Sequence, residues 1–304
     1  MMTVSCMDNT TLRIKVTPIC NLACVFCHTE GIMPTELLNE KQMDDILVFA
    51  QAHYFNRIHF TGGEPTLHPN LIGLIEMIRT RDMSSALTTN GTFQPHTLSC
   101  LKLAGIGNIN FSLHTVNPVQ WCLLQEGSSL LDATNNLEII LANIEHSIDI
   151  GIKTKINIVV NNPDAAMGVI EKTQHLNLEL RLLDVLGDDK SRSSIEKVLE
   201  DLSATFIRKI TVCGSSKSYL YYATGDRSIV VKLMQPKQLV SICTGCDRKC
   251  LEGFYGIRLE ALDGEIYVRL CLQRNDFPAY MPLDDFVKSE QLIEILSVNR
   301  RRNR

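Results

Sequence analysis

Six short strand-like stretches, each followed by a helix-like one, run from residue 12 to about residue 185. The strands are LRIKVT (12–17), RIHFTG (57–62), SALTTN (85–90), NINFSL (108–113), KTKINIVV (153–160) and LELRLLDV (178–185). Between them lie helical stretches such as LLNEKQMDDILVFAQAHY and SLLDATNNLEIILANIEHSIDIG. Strands alternating with helices bury their apolar faces as a parallel sheet with helices packed against it. Right-handed crossovers then curl six such units into an open barrel, with the loops at the strand C-termini building the site. The expected class is therefore α/β, a partial (β/α)6 TIM barrel.

The pattern changes near residue 190, which divides the chain into a barrel (1–190) and a C-terminal region (191–304). SSIEKVLEDLSATFI reads as helix; KITVCG, SYLYYATG and SIVVKLM read as short antiparallel strands. GIRLEALDGEIYVRL reads as a hairpin turning at Asp263-Gly264. A short helix and the tail NRRRNR follow, the tail expected to be disordered and solvated. With 45% hydrophobic and 21% charged residues, the composition is that of a globular protein. A net charge of -4 argues against a nonspecific nucleic-acid binder. No apolar run approaches the roughly 20 residues of a membrane span, and Thr3 to Thr11 is too polar for a signal peptide. A cytoplasmic protein is expected.

Eleven cysteines are present, most of them clustered at 20, 24 and 27 and at 243, 246, 250 and 271. Cys6, Cys100, Cys122 and Cys213 stand alone and are read as core or surface thiols. The first cluster, C-x-x-x-C-x-x-C, offers three ligands where a tetrahedral zinc ion wants four, and His28 beside Cys27 is poorly placed to close the same site. A four-iron cube could take one thiolate on each of three irons and leave the fourth open to a small molecule. TGGEP ends the second strand, where Gly62 and Gly63 would allow close backbone approach to a ligand and Glu64 could meet an ammonium group. TTNG (88–91) and FSLH (111–114) place hydroxyls and an amide at the same rim.

The cysteine triplet, with Phe26 before its third member, followed one β/α unit later by GGEP, resembles the radical S-adenosylmethionine (SAM) superfamily. The resemblance implies that Cys20, Cys24 and Cys27 hold a 4Fe-4S cluster whose open iron chelates the amino and carboxylate groups of SAM. Reductive cleavage of SAM would give methionine and a 5′-deoxyadenosyl radical that abstracts a substrate hydrogen. Gly62, Gly63 and Glu64 would lie near the methionine amino group, and Thr89, Asn90 and Ser112 near the SAM carboxylate or ribose. A reductant such as flavodoxin or ferredoxin is the implied partner.

Within that superfamily, residues 11 to 275 are similar to the GTP 3′,8-cyclases of molybdenum-cofactor biosynthesis. The resemblance rests on LRIKVTPICNLACVFC with Arg13, on NINFSLHTVNP, on GIKTKINIVVN with Lys155 and Asn157, and on CTGC…IRLEALDGEIYVRLCL. Cys243, Cys246, Cys250 and Cys271 suit structural zinc or, in this company, an auxiliary 4Fe-4S cluster. That family uses three cysteines there; a fourth, Cys250, would close the cluster. His114 stands where the family has an acidic residue, Gly256 where it has a second arginine, and only His68 follows GGEP where it is basic. Arg13, Lys155, Arg181 and Arg258 could still bind an anionic substrate. The expectation is a radical SAM enzyme acting on a nucleotide, nucleoside or sugar acid. GTP 3′,8-cyclase, a peptide-modifying maturase and a non-catalytic zinc- or cluster-binding protein are the alternatives.

Overall fold

The computed structural model describes residues 3–27, 35–185, 188–225, 227–235, 237–250 and 252–300. After β1 (Thr3–Met7) and β2 (Thr11–Lys15) the chain alternates: α1 (Glu40–Ala52), β3 (Arg57–Thr61), α2 (Leu71–Arg79), β4 (Ser84–Thr89), α3 (His96–Ala104), β5 (Asn108–Ser112). Then follow α4 (Pro118–Leu124), α5 (Leu130–Asp149), β6 (Lys153–Val159), α6 (Pro163–Lys172), β7 (Glu179–Leu183) and α7 (Asp189–Asp201). The remainder holds β8 (Thr205–Val212), β9 (Lys217–Thr224), β10 (Arg227–Met234), α8 (Val240–Cys243), β11 (Arg258–Leu262) and β12 (Glu265–Arg269). It ends with β13 (Tyr280–Pro282), α9 (Leu283–Val287) and α10 (Glu290–Arg300).

Local chemistry sets several of these boundaries. Asn39 and Ser129 start α1 and α5 with reciprocal capping boxes, and Gly105 ends α3 at φ +101°. Asp263 and Gly264 both take positive φ, the conformation a two-residue hairpin turn requires. β2 to β7 pair in parallel and in sequence order, the six-unit curled half-barrel that the alternation predicts.

Four expectations need correction. Thr3–Met7 is a strand, paired in parallel with β8, so the chain begins one strand earlier than its β/α pattern suggests. Residues 205–207 belong to β8 rather than to the preceding helix, because they pair with β9. Cys6 and Cys213 are joined by a disulfide across the β1–β8 pair rather than standing as separate thiols. Asn299 and Arg300 close α10, while residues 301–304 of the tail, like His28, lie outside the described residues.

The sheet continues past both ends of the half-barrel. β10 joins β7 in parallel and carries β9, β8 and β1, while β11 joins β2 in parallel and carries β12 and β13. A short segment before β11 connects these flanks. Ser216 N donates to Phe254 O (2.8 Å) and Phe254 N to Lys237 O (2.7 Å), while Arg13 N donates to Ile257 O (3.1 Å). The two ends of the curled sheet therefore meet at residues 254–257.

Strand alternation separates two unlike faces. Leu12, Ile14, Ile58, Phe60, Ile109 and Phe111 join the helices' apolar residues in one core. The other face carries Arg13, His59, Thr88, Asn110, Lys155 and Arg181, with Asn110 and Lys155 buried and the rest half-buried. Among the described residues, no helix is long and apolar enough to cross a membrane.

A buried ion pair fastens the C-terminal hairpin. Arg269 on β12 donates through Nε (3.2 Å) and Nη2 (2.7 Å) to Glu260 on β11, and both side chains are buried. Arg269→Met strands the Glu260 carboxylate without its partner and is expected to cost about 3–5 kcal/mol, read as a lower midpoint of chemical denaturation.

Candidate active site

The cysteine loop leaves β2 and is held from two sides. On one side it forms an isolated bridge between Cys24 and Gln125, flanked by Val25 N to Leu124 O (3.1 Å) and Glu126 N to Ala23 O (3.0 Å). Gln125 Nε2 also donates to Cys24 Sγ at 3.1 Å. On the other side lies GGE. Gly63 N donates to Thr17 O and Glu64 N to Ile19 O, both at 2.8 Å. A Cβ on Gly62 would sit 2.4 Å from Thr17 O, and one on Gly63 would sit 2.2 Å from Ile19 O. These glycines make room for the backbone entering the cysteine loop, which sharpens the expectation that they make room for a ligand.

Glu64 is 2% exposed. Its Oε1 accepts from Thr66 N (3.1 Å), Thr66 Oγ1 (2.7 Å) and Thr89 Oγ1 (2.7 Å), and its Oε2 accepts from Asn90 N (2.7 Å). Burial pushes its carboxyl above the usual range, opposed by these hydrogen bonds from Asn90, Thr66 and Thr89. The carboxylate thus ties the end of β3 to the end of β4, leaving Oε2 the lone-pair capacity to meet a further donor. Asn90 extends the tie: its Nδ2 donates to Asn21 Oδ1 (2.9 Å) in the cysteine loop, and its Oδ1 accepts from Thr92. Ser112 ends β5, half-buried, opposite Asn157 on β6.

Cys20 and Cys27 are exposed and Cys24 half-buried. Burial raises the Cys20 thiol, and Glu64 and Cys27 add to the rise; burial raises Cys24 too, with Cys27 and Cys20 adding to it against the Gln125 bond. Three thiols close enough to oppose one another's ionisation, with soft donors and an open side, fit a cationic thiolate-ligated centre. Among the described residues, no group of three or more His, Cys, Asp or Glu closes on a single-ion position. Phe26 packs edge-on against His114 at 4.8 Å between ring centroids. His114 Nδ1 accepts from Val159 N (3.0 Å), and burial pushes its imidazole down to about 4, so it stays neutral near pH 7.

The second cysteine set runs from Cys243 at the end of α8 to Cys271 just past β12. Burial raises Cys243, and Cys250, Cys271 and Cys246 each add to the rise, Cys250 most. Arg274 lies beside this loop, donating through Nη1 to Ile242 O (2.6 Å).

Of the four cations expected to bind substrate, three have a carboxylate partner in the fold: Glu252 for Arg258 (2.5 Å) and Glu179 for Lys155 and Arg181. Lys155 Nζ (2.9 Å) and Arg181 Nε (2.5 Å) share Glu179 Oε1. Burial and Arg181 push the Lys155 ammonium down to about 8 against the pull of Glu179. Arg13 and Arg258 face each other across the β2–β11 pair. His68 is buried, with Nε2 on Leu38 O (2.9 Å) and Nδ1 accepting from Asn70 N (3.2 Å), so it serves packing between loops. Sequence reading missed Lys217, Lys232 and Tyr255, which pack beside Arg13 and Arg258. Lys217 and Lys232 come from β9 and β10 and Tyr255 from the segment before β11, none within a recognisable motif, and only the Arg13–Arg258 juxtaposition could have pointed to them.

Residues 14–164 match the family model described as Radical SAM superfamily. The chain is 30% identical to a probable GTP 3′,8-cyclase of Saccharolobus solfataricus over 278 residues, 87% of this chain and 83% of that one. It is 31% identical to one from Metallosphaera sedula, over 87% of this chain and 81% of the relative. Among solved structures, native anSMEcpe with bound AdoMet is similar with TM-score 0.61 at 15% identity, covering 95% of this chain and 83% of that chain. Streptococcus suis SuiB bound to S-adenosylmethionine gives 0.51 at 16% identity, over 68% and 48%.

Gly63→Ala drives a methyl group into the Ile19 carbonyl and is expected to cost about 1–3 kcal/mol. The measurements are the denaturation midpoint and the alkylation rate of Cys20, which should rise as the loop loosens.

Proposed function

The chain belongs to the radical SAM superfamily, a SAM-dependent enzyme, and from there we propose that its substrate is a small anionic molecule of the nucleotide, nucleoside or sugar-acid type. The observation that carries this reading is the inward face of the half-barrel. Parallel strands normally bury apolar residues on both faces, yet here one face presents Arg13, Lys155, Arg181 and Arg258. Such a lining suits charged ligands rather than barrel packing.

In this reading Cys20, Cys24 and Cys27 would hold the SAM-binding 4Fe-4S cluster, which, with a donor such as flavodoxin or ferredoxin, would supply the electron for reductive cleavage of SAM. The chain's own residues do the positioning. Gly62 and Gly63 let the loop seat against β3, Glu64 fixes the rim while offering Oε2, and Thr89, Asn90 and Ser112 stand where SAM's polar groups would lie. Phe26 and His114 pack together beside the loop. Cys243, Cys246, Cys250 and Cys271 would hold an auxiliary 4Fe-4S cluster, with Cys250 as the fourth ligand.

A second reading, GTP 3′,8-cyclase, is favoured by the names of the relatives at 30–31% identity. Against it stand the fourth cysteine and Gly256 in place of an arginine.

After anaerobic reconstitution the chain is expected to hold about eight irons and, with dithionite, to release 5′-deoxyadenosine from SAM. Cys24→Ala should lose about half of that iron and all of the release. Cys250→Ala should lower iron further if the second cluster has four cysteine ligands. A chain holding zinc without iron and releasing no 5′-deoxyadenosine overturns the reading, and a cyclised product from GTP selects the second one.

A further inference from the structure

Gln125 reaches the cysteine loop from 101 residues away in sequence. It caps the C-terminus of α4, and its main chain forms the isolated bridge to Cys24. Its side chain makes a separate contact. Gln125 is buried, and its Nε2 donates to Cys24 Sγ at 3.1 Å. Cys20 Sγ, by contrast, accepts from Leu22 N at 3.5 Å, a donor within the loop itself.

The amide is oriented by its donor half alone. Among the described residues, Gln125 Oε1 is buried with no hydrogen-bond partner. An unsatisfied buried carbonyl oxygen is costly, and a thiol sulfur is too weak an acceptor to offset it. A thiolate is a different acceptor. Hydrogen bonds to an ionised group are roughly twice as strong as neutral ones, and they strengthen again away from water. The side chain therefore suits a Cys24 that carries negative charge, as a ligand to iron does. Joining the two segments does not require it. The bonds from Val25 N to Leu124 O and from Glu126 N to Ala23 O are main-chain contacts, open to any side chain at position 125.

We propose that Gln125 is a positioning residue for electron entry, raising the reduction potential of the SAM-binding cluster through its N–H bond to the Cys24 sulfur. This rests on the reading of Cys20, Cys24 and Cys27 as that cluster's ligands and adds a residue outside their motif. One electron enters from the reductant and no proton moves. Reduction places more negative charge on the ligating sulfurs, so an N–H donor stabilises the reduced state more than the oxidised one. Gln125 thereby makes the electron easier to deliver from a donor such as flavodoxin or ferredoxin.

An anaerobic redox titration of the reconstituted holoenzyme tests this, following by electron paramagnetic resonance the cluster signal that changes when SAM is added. Gln125→Met keeps an unbranched side chain of similar length and removes the donor. At a fixed potential its reduced-to-oxidised ratio is expected to fall about three- to tenfold, a midpoint lower by about 28–59 mV. Trp121→Phe is the control for loosened packing, since Trp121 is buried in α4 and its Nε1 has no partner among the described residues. Its midpoint should match wild type. A second measurement needs no variant. With the glutamine side-chain nitrogen isotopically labelled, the reduced wild-type cluster should show that nitrogen's modulation in its spin echo. An unmoved midpoint in Gln125→Met, an equal fall in Trp121→Phe, or absence of the nitrogen modulation overturns the role of Gln125. A preparation with neither iron nor a SAM-sensitive signal overturns the cluster reading as well, whereas a SAM-sensitive signal with an unmoved midpoint overturns the Gln125 proposal alone.

Discussion

A parallel sheet that buries polar residues on one face has to satisfy them from within, and that requirement organises this protein. Burying an unpaired amide or ammonium costs several times what a hydrogen bond contributes. The inward face meets the demand in two ways. Amides and hydroxyls bond across strands: Asn108 Oδ1 accepts from Arg57, His59 Nε2 pairs with Thr88 Oγ1 (2.7 Å), and Asn110 Nδ2 donates to Thr88 Oγ1 (3.4 Å). Where cations lie, Glu179 serves Lys155 and Arg181 together. Around Tyr255, Arg13, Lys217, Lys232 and Arg258 lie 4.5–5.2 Å from the ring centroid, and Glu252 pairs with Arg258.

The rim obeys the same constraint at shorter range. Glu64 can be buried because four donors from Thr66, Thr89 and Asn90 meet it. The same bonds hold the ends of β3 and β4 in register with the cysteine loop, which Gly62 and Gly63 allow to approach to backbone contact. Loop position therefore depends on the absence of two side chains and on one buried carboxylate. The thiols inherit their geometry from that arrangement, and the Gln125 bridge fixes the loop's far side.

The C-terminal region does more than follow the barrel. Its strands extend both ends of the sheet, and residues 254–257 bring those ends together. The second cysteine set and Tyr255 lie in the C-terminal region, which also supplies three of the four cations around that ring, Lys217, Lys232 and Arg258.

Much of this was legible from residues alone. The β2–β7 units follow from alternation of period, since each strand carries apolar residues at every second position and each helix an apolar stripe. The Asp263-Gly264 hairpin follows from turn chemistry, and the tight cysteine spacing with GGEP marks the family because a single loop must present three thiolates. What stayed hidden depended on partners remote in sequence. Thr3–Met7 is too short and polar to declare itself a strand without β8 to pair with. The Cys6–Cys213 bond spans a separation of 207 residues. That Thr89 and Asn90 hold Glu64, and that Lys155 and Arg181 share Glu179, shows only in three dimensions. Arg13, Lys217, Lys232 and Arg258 come together only when the sheet curls and its ends meet at Tyr255. Periodicity and spacing are local and survive in the sequence; charge compensation is a sum over neighbours in space, and only the tertiary structure decides who those neighbours are.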